Sequence, residues 1–155
     1  LAIHDFDWLR WTLGEPTLVF ARSVALSSPD RPDVGDYALA TISFESGAVA
    51  HVEATWMDPS GFRTAYEVCG SGGMIEFDSR RASALRMVLP DRQTFESPLL
   101  PMDDPYYLEL TAFLSAVECG APPPVSPYDG LRAVAIAEAA IESAESGKPA
   151  VPAGR

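Results

Sequence analysis

The sequence is poor in the groups that build most metal, disulfide and nucleic-acid sites. Two cysteines and two histidines occur in 155 residues, and 11 basic side chains face 22 acidic ones. Cys69 and Cys119 lie far apart and lack the paired spacing of a zinc site, so both are read as reduced core thiols of a cytoplasmic protein. A net charge of -11 repels a phosphate backbone, which excludes nucleic acid as the expected partner. No apolar run approaches the ~20 residues that a membrane-spanning helix needs. Nothing in the opening residues resembles a signal or transit peptide, and they do not begin with Met. The chain starts inside a helix-forming pattern and is expected to be a fragment.

What is present is a globular composition, 47% hydrophobic and 21% charged, long enough for a real core in a single α+β domain over 1-155. The opening stretch LAIHDFDWLRWTLG carries the most chemistry. His4, Asp7, Trp8 and Trp11 fall at i, i+3, i+4 and i+7, which stacks an imidazole, a carboxylate and two indoles on one helical stripe. Gly14 and Pro16 then stop the helix. A capping or surface role for His4 stands beside the site reading. Trp8 and Trp11 either wall a site or pack helix to sheet.

A strand follows through Leu18 to Ala25, then a loop over Ser27 to Asp36. Tyr37 to Phe44 and Ala48 to Trp56 form a hairpin around Glu45-Ser46-Gly47. Its second strand puts Ala50, Val52, Ala54 and Trp56 on one face and Val49, His51, Glu53 and Thr55 on the other. Arg63 to Cys69 and Met74 to Asp78 pair around Gly70-Ser71-Gly72-Gly73. That cluster lacks the spacing of a dinucleotide fingerprint and the Lys of a P-loop, so a tight hairpin is expected. Short strands over Arg80 to Leu89 and Gln93 to Phe95 complete an antiparallel meander.

Two helices close the chain. Asp104 caps the first, with Pro105 at its first position and an apolar stripe of Tyr106, Leu110, Phe113, Leu114 and Val117 expected in the core. Ser126, Pro127 and Asp129 begin the second in capping-box order. Its face of Val134, Ala137, Ile141 and Ala144 is expected against the sheet, and only the last few residues are expected to be disordered. A reading of His4-Asp5 as a metal-dependent phosphohydrolase dyad fails for want of ligands, since the other histidine, His51, falls in a strand. No metal is expected.

Four segments in fixed order, IHDFDWLRWTLGEP, FESGAVAHVEATW, YEVCGSGGMIEF and the closing stretch from YYLELTAFLSAVECG to KPAVP, resemble the C-terminal half of the Gfo/Idh/MocA oxidoreductases. The resemblance implies an open, mainly antiparallel sheet with helices on one face, like the C-terminal domain of glyceraldehyde-3-phosphate dehydrogenase. It also implies a preceding Rossmann domain, absent from this chain, that binds most of the NAD or NADP. The family motif runs Asp, three residues, His, two residues, Asp; His4 and Asp7 match its last two positions. His4 would then move the proton of a sugar or polyol hydroxyl as hydride leaves for nicotinamide. Asp7 and Trp8 would bind substrate, Asp7 having the alternative role of a first-turn acid favouring the helix dipole. Phe62 stands where some relatives carry a substrate-binding Tyr, and Arg63 beside it would take a carboxylate or hydroxyl unless it is simply an exposed strand-start arginine. The implied parent is an NAD(P)-dependent dehydrogenase that dimerises or tetramerises through the open sheet face, and the isolated chain is expected not to turn over. The alternative is a non-catalytic binding or assembly module of the same fold.

Overall fold

The computed structural model describes residues 2–25, 35–97 and 104–154. The chain divides into two compact units, Leu1–Met57 with Gly120–Arg155, and Asp58–Cys119. Most of the loop expected over Ser27 to Asp36 lies outside the described residues.

The first unit starts with helix α1 (Ile3–Leu13), which ends where Gly14 takes φ 94° and donates its N–H to the Arg10 carbonyl. Strands β1 (Pro16–Val24), β2 (Tyr37–Phe44) and β3 (Val49–Thr55) form an antiparallel sheet in that order. At the β2–β3 turn, Gly47 supplies the positive φ of 84° that the short loop requires. The register puts Val19 opposite Ile42, and Ala21 opposite Ala40, which faces Val52. All five are buried, and they form a core with Phe6 and Leu9 of α1. The other face carries Leu18, Phe20, Val24, Leu39 and Val49, all exposed. On that face Thr41 and His51 share a hydrogen bond of 3.1 Å.

Helix α3 (Pro127–Ser146) covers the inner face and also packs on α1. Ser126 and Asp129 close the capping box, and Gly147 ends the helix in the left-handed region. The face it buries differs from the expected one. Arg132, Ala135, Ile136, Ala139 and Ser143 point inward, whereas Val134 and Ile141 are exposed and Ala137 and Ala144 only partly buried. The cause is polar pairing. Ser143 Oγ accepts the Ala21 N–H at 2.9 Å, and the Arg132 guanidinium reaches Glu15 and the Ala153 carbonyl. Before the chain's end, Ala150 bridges Val19 through two backbone hydrogen bonds of 2.8 and 2.9 Å, and Pro152 is buried.

The second unit holds β4 (Ala65–Gly70), β5 (Gly73–Asp78), β6 (Leu85–Val88) and β7 (Thr94–Ser97), paired antiparallel in sequence order. One face of this sheet is apolar, with Tyr66 stacked on Phe77 at 5.1 Å and Val68, Ile75, Met87 and Phe95 in register beside them. The opposite face carries the row Glu67, Glu76, Arg86 and Glu96, in which Arg86 meets Glu76 at 2.7 Å. The unit ends with α2 (Pro105–Cys119), whose first N–H groups are capped by Asp104 as expected. Its apolar stripe is not core: Tyr106, Leu110, Phe113, Leu114 and Val117 are all exposed. Helical period identifies an apolar face but does not determine what lies against it. The thiols also depart from expectation, because Cys69 and Cys119 are free but exposed.

Candidate functional site

Helix α1 delivers the stripe that its spacing predicts. Phe6 and Leu9 are its buried residues, so the opposite side of the helix presents His4, Asp7, Trp8 and Trp11. His4 is exposed, Asp7 and Trp8 are half-buried, and Trp8 also leans on the core. Trp11 is 81% exposed, so it is not helix-to-sheet packing. Beneath α1, a cavity of about 280 Å³ opens between Ile3 and Phe6, the strand residues Ala38 and Val52, and Ala137 and Ala140 of α3. It is lined mainly by alanines, and His4, on the opposite side of the helix, is not among its lining residues.

Asp5, weighed in the sequence only as half of a metal dyad with His4, is set apart by its burial. Asp5 is half-buried, and desolvation raises its carboxyl above the usual carboxylate range, against the opposing pull of His4. The signal was available in its spacing: one residue beyond His4, a helical side chain turns toward the buried side.

The C-terminal end of α1 is held by side-chain ion pairs. Arg10 donates from Nε to Glu15 Oε1 at 2.7 Å and from Nη1 to Asp129 Oδ1 at 2.8 Å, and its guanidinium lies 5.4 Å from the Tyr128 ring centre. Glu15 Oε2 in turn accepts from Nε and Nη2 of Arg132 at 3.2 and 3.1 Å. Hydrogen bonds from Ser126 first, then from Arg10, lower the Asp129 carboxyl to about 2. Burial opposes the charge of Arg10, but its bonds to Asp129 and Glu15 outweigh it and raise its pKa.

Phe62 and Arg63 belong to the second unit. Phe62 is 80% exposed. Arg63 is exposed just before β4, as the strand-start reading expects, but it is paired: Nη2 and Nε donate to the two Asp78 oxygens at 2.8 and 3.3 Å. That fork is the leading reason why the Asp78 carboxyl falls to about 2. A substrate group at Arg63 would have to share a guanidinium already engaged by Asp78.

No group of three His, Cys, Asp or Glu side chains among the described residues could hold a metal ion. The glycine cluster does not fit a dinucleotide either. Gly70 and Gly73 pair with each other at the β4–β5 turn, and Gly73, at φ 127°, lies so close to the Val88 carbonyl that an added Cβ would fall 2.2 Å from it. Its lack of a side chain serves strand approach, not a phosphate. No described helix is long and apolar enough to cross a membrane.

Open antiparallel sheets, with helices packed on one of them, are the fold shared with solved oxidoreductase structures, among them a probable dehydrogenase of Thermotoga maritima at 30% identity and a TM-score of 0.78, over 97% of this chain and 47% of that one. The chain belongs to the Gfo/Idh/MocA oxidoreductase family, whose C-terminal alpha/beta domain matches residues 1–152. An inositol 2-dehydrogenase of Rhizobium meliloti is 32% identical over 151 residues, covering 92% of this chain and 46% of that protein. A myo-inositol 2-dehydrogenase of Thermotoga maritima is 33% identical over 154 residues, covering 94% of this chain and 46% of that protein. Among solved structures, a levoglucosan dehydrogenase in complex with NADH and levoglucosan superposes with a TM-score of 0.84 at 25% identity, over 99% of this chain and 49% of that one. The chain spans about half the length of the relatives it matches.

Proposed function

We propose that this chain is the substrate-binding half of an NAD(P)-dependent dehydrogenase acting on a cyclic polyol or sugar, with inositols the first candidates. The observation that carries the reading is the placing of His4, Asp7 and Trp8 on one accessible face of α1 in a member of this oxidoreductase family. The inositol dehydrogenases of similar sequence supply the substrate class. In this reading His4 accepts the hydroxyl proton of the carbon being oxidised, a task suited to an imidazole whose ordinary pKa lies near ~6.5. Asp7 accepts a neighbouring hydroxyl, and Trp8 packs against the apolar face of the ring. The nicotinamide, held by a preceding Rossmann domain, supplies the hydride acceptor.

For Phe62 and Arg63, in the second unit, the family resemblance supports a role in substrate contact. Phe62 contributes ring surface without a hydroxyl, so Arg63 is the polar group of that pair. Partner and location follow the same reading: a homo-dimer or tetramer through the sheet face bearing Leu18, Phe20, Leu39 and Val49, in the cytoplasm. The test is absorbance of reduced nicotinamide when the chain, joined to its nucleotide-binding half, meets NAD or NADP and a panel of inositols and sugars. Turnover of at least one cyclic polyol is expected, and none by the chain alone. Failure across the panel with both cofactors would contradict the reading and leave the assembly module.

A further inference from the structure

In the proposed reaction helix α1 must present His4 at a defined angle, and its buried residues are Phe6 and Leu9. Apolar contacts of that kind are non-directional and tolerate rotation and tilt. Directional contacts are made by Arg10, near its C-terminal end.

Resting on the function proposed above, we infer that Arg10 and Glu15 are positioning residues that set the tilt of α1, and through it the place of His4. Arg10 offers two arms of a planar fork to two different carboxylates, Glu15 after the helix and Asp129 in the first turn of α3. Neither anchor is free to follow α1. Asp129 Oδ2 accepts the N–H and hydroxyl of Ser126 at 2.8 and 2.6 Å, which fixes it in the α3 capping box. Glu15 is held from behind by Arg132, which is 2% exposed. The Arg10 side chain, only 14% exposed, thus registers α1 against α3 with little solvent screening.

The lever is short enough to matter. Arg10 and His4 are six residues apart, about 9 Å along a helix. A tilt of roughly 10° pivoting at Arg10 would then carry the imidazole about 1.5 Å, and misplacement of a reacting group by ~1 Å can lower a rate about 100-fold. Two positive and two negative groups make up the cluster, so their charges nearly cancel and act on His4 through geometry rather than field.

Lysine at position 10 keeps the charge but loses the fork. In the protein joined to its nucleotide-binding half, R10K is expected to lower kcat about 10–100-fold while KM changes less than about 3-fold. The loss should vanish in an H4A background, since a residue acting through His4 has nothing left to position. Equal loss in both backgrounds, or a change confined to KM, overturns the proposal. A second readout needs no turnover: in the 155-residue chain, R10K should move the His4 ring and Trp8 indole NMR resonances, whereas E142Q, on an exposed part of α3, should leave them in place. Unmoved resonances overturn the proposal whatever the activity. Moved resonances with a wild-type protein inactive on every polyol would support the positioning and contradict the proposed reaction. If R10K fails to fold, E15Q, which removes half of the same anchor, is read in both assays by the same outcomes.

Discussion

Replacing Arg132 by methionine is expected to destabilise the protein by about 2–3 kcal/mol. The side chain is almost wholly buried, and it donates to Glu15 from two nitrogens and to the Ala153 carbonyl from a third. Methionine fills much of the same volume, so the loss is polar rather than a cavity. Breaking a buried ion pair from one side typically costs ~3–5 kcal/mol, because a charge is stranded. Here the stranding is partial: Glu15 is about one-third exposed and keeps its 2.7 Å bond to Arg10. What remains is a charged hydrogen-bonded contact of ~1.5–3 kcal/mol and a carbonyl left without its donor. For a chain of this size that corresponds to a fall in melting temperature of about 5–10 °C. Thermal and urea unfolding followed by circular dichroism and Trp fluorescence would measure it. R81A is the control, since Arg81 is 56% exposed and 3.6 Å from Asp78, a surface pair worth less than ~1 kcal/mol. If R132M melts within 1 °C of wild type, or no lower than R81A, the argument that polar pairing fixes the buried face of α3 is refuted.

Three further outcomes follow from the same contacts. Asp78 and Asp129 have folded pKa values of about 2, below their unfolded value, so the stability they lend is complete above the ordinary carboxylate range and lost as pH falls toward 2; D129N should flatten part of that slope in acid unfolding. Asp5 has the opposite sign, its pKa being raised mainly by desolvation, so D5N should raise the melting temperature at pH 7 and lose that advantage as pH falls below the usual carboxylate range. Both cysteines should react with a thiol reagent in the folded protein, and E67Q should quicken Cys69, because desolvation and then the Glu67 and Glu76 carboxylates hold its thiol above the ordinary value.

Local chemistry was legible in the sequence wherever a few adjacent residues decide the outcome. The Ser126-Asp129 box, the Asp104 cap and the Gly47 turn each satisfy backbone groups within their own segment, and so did the end of α1 at Gly14. The hairpins were legible for the same reason, including the glycine cluster that might have been taken for a phosphate loop. The family was legible because four short segments keep their order over the whole chain. What escaped reading depends on distant partners. Arg132 and Ser143 count as outward-facing by type, and they turn inward because Glu15, Ala153 and Ala21 wait for them. The apolar stripe of α2 was visible as a period, but its exposure was not, nor was that of the two thiols. At the site, the His4-Asp7-Trp8 stripe followed from spacing, while the fork of Arg10 joins residues 119 positions apart and has no local signature.

The central claim is that the imidazole at the front of α1 carries the proton in a polyol oxidation. Its most direct test is kcat for cyclic polyol oxidation by wild type and H4Q, both joined to the nucleotide-binding half and matched for melting temperature. A loss of about 100- to 10,000-fold in kcat, with cofactor binding retained, is the predicted result. An H4Q protein that turns over at the wild-type rate would contradict it.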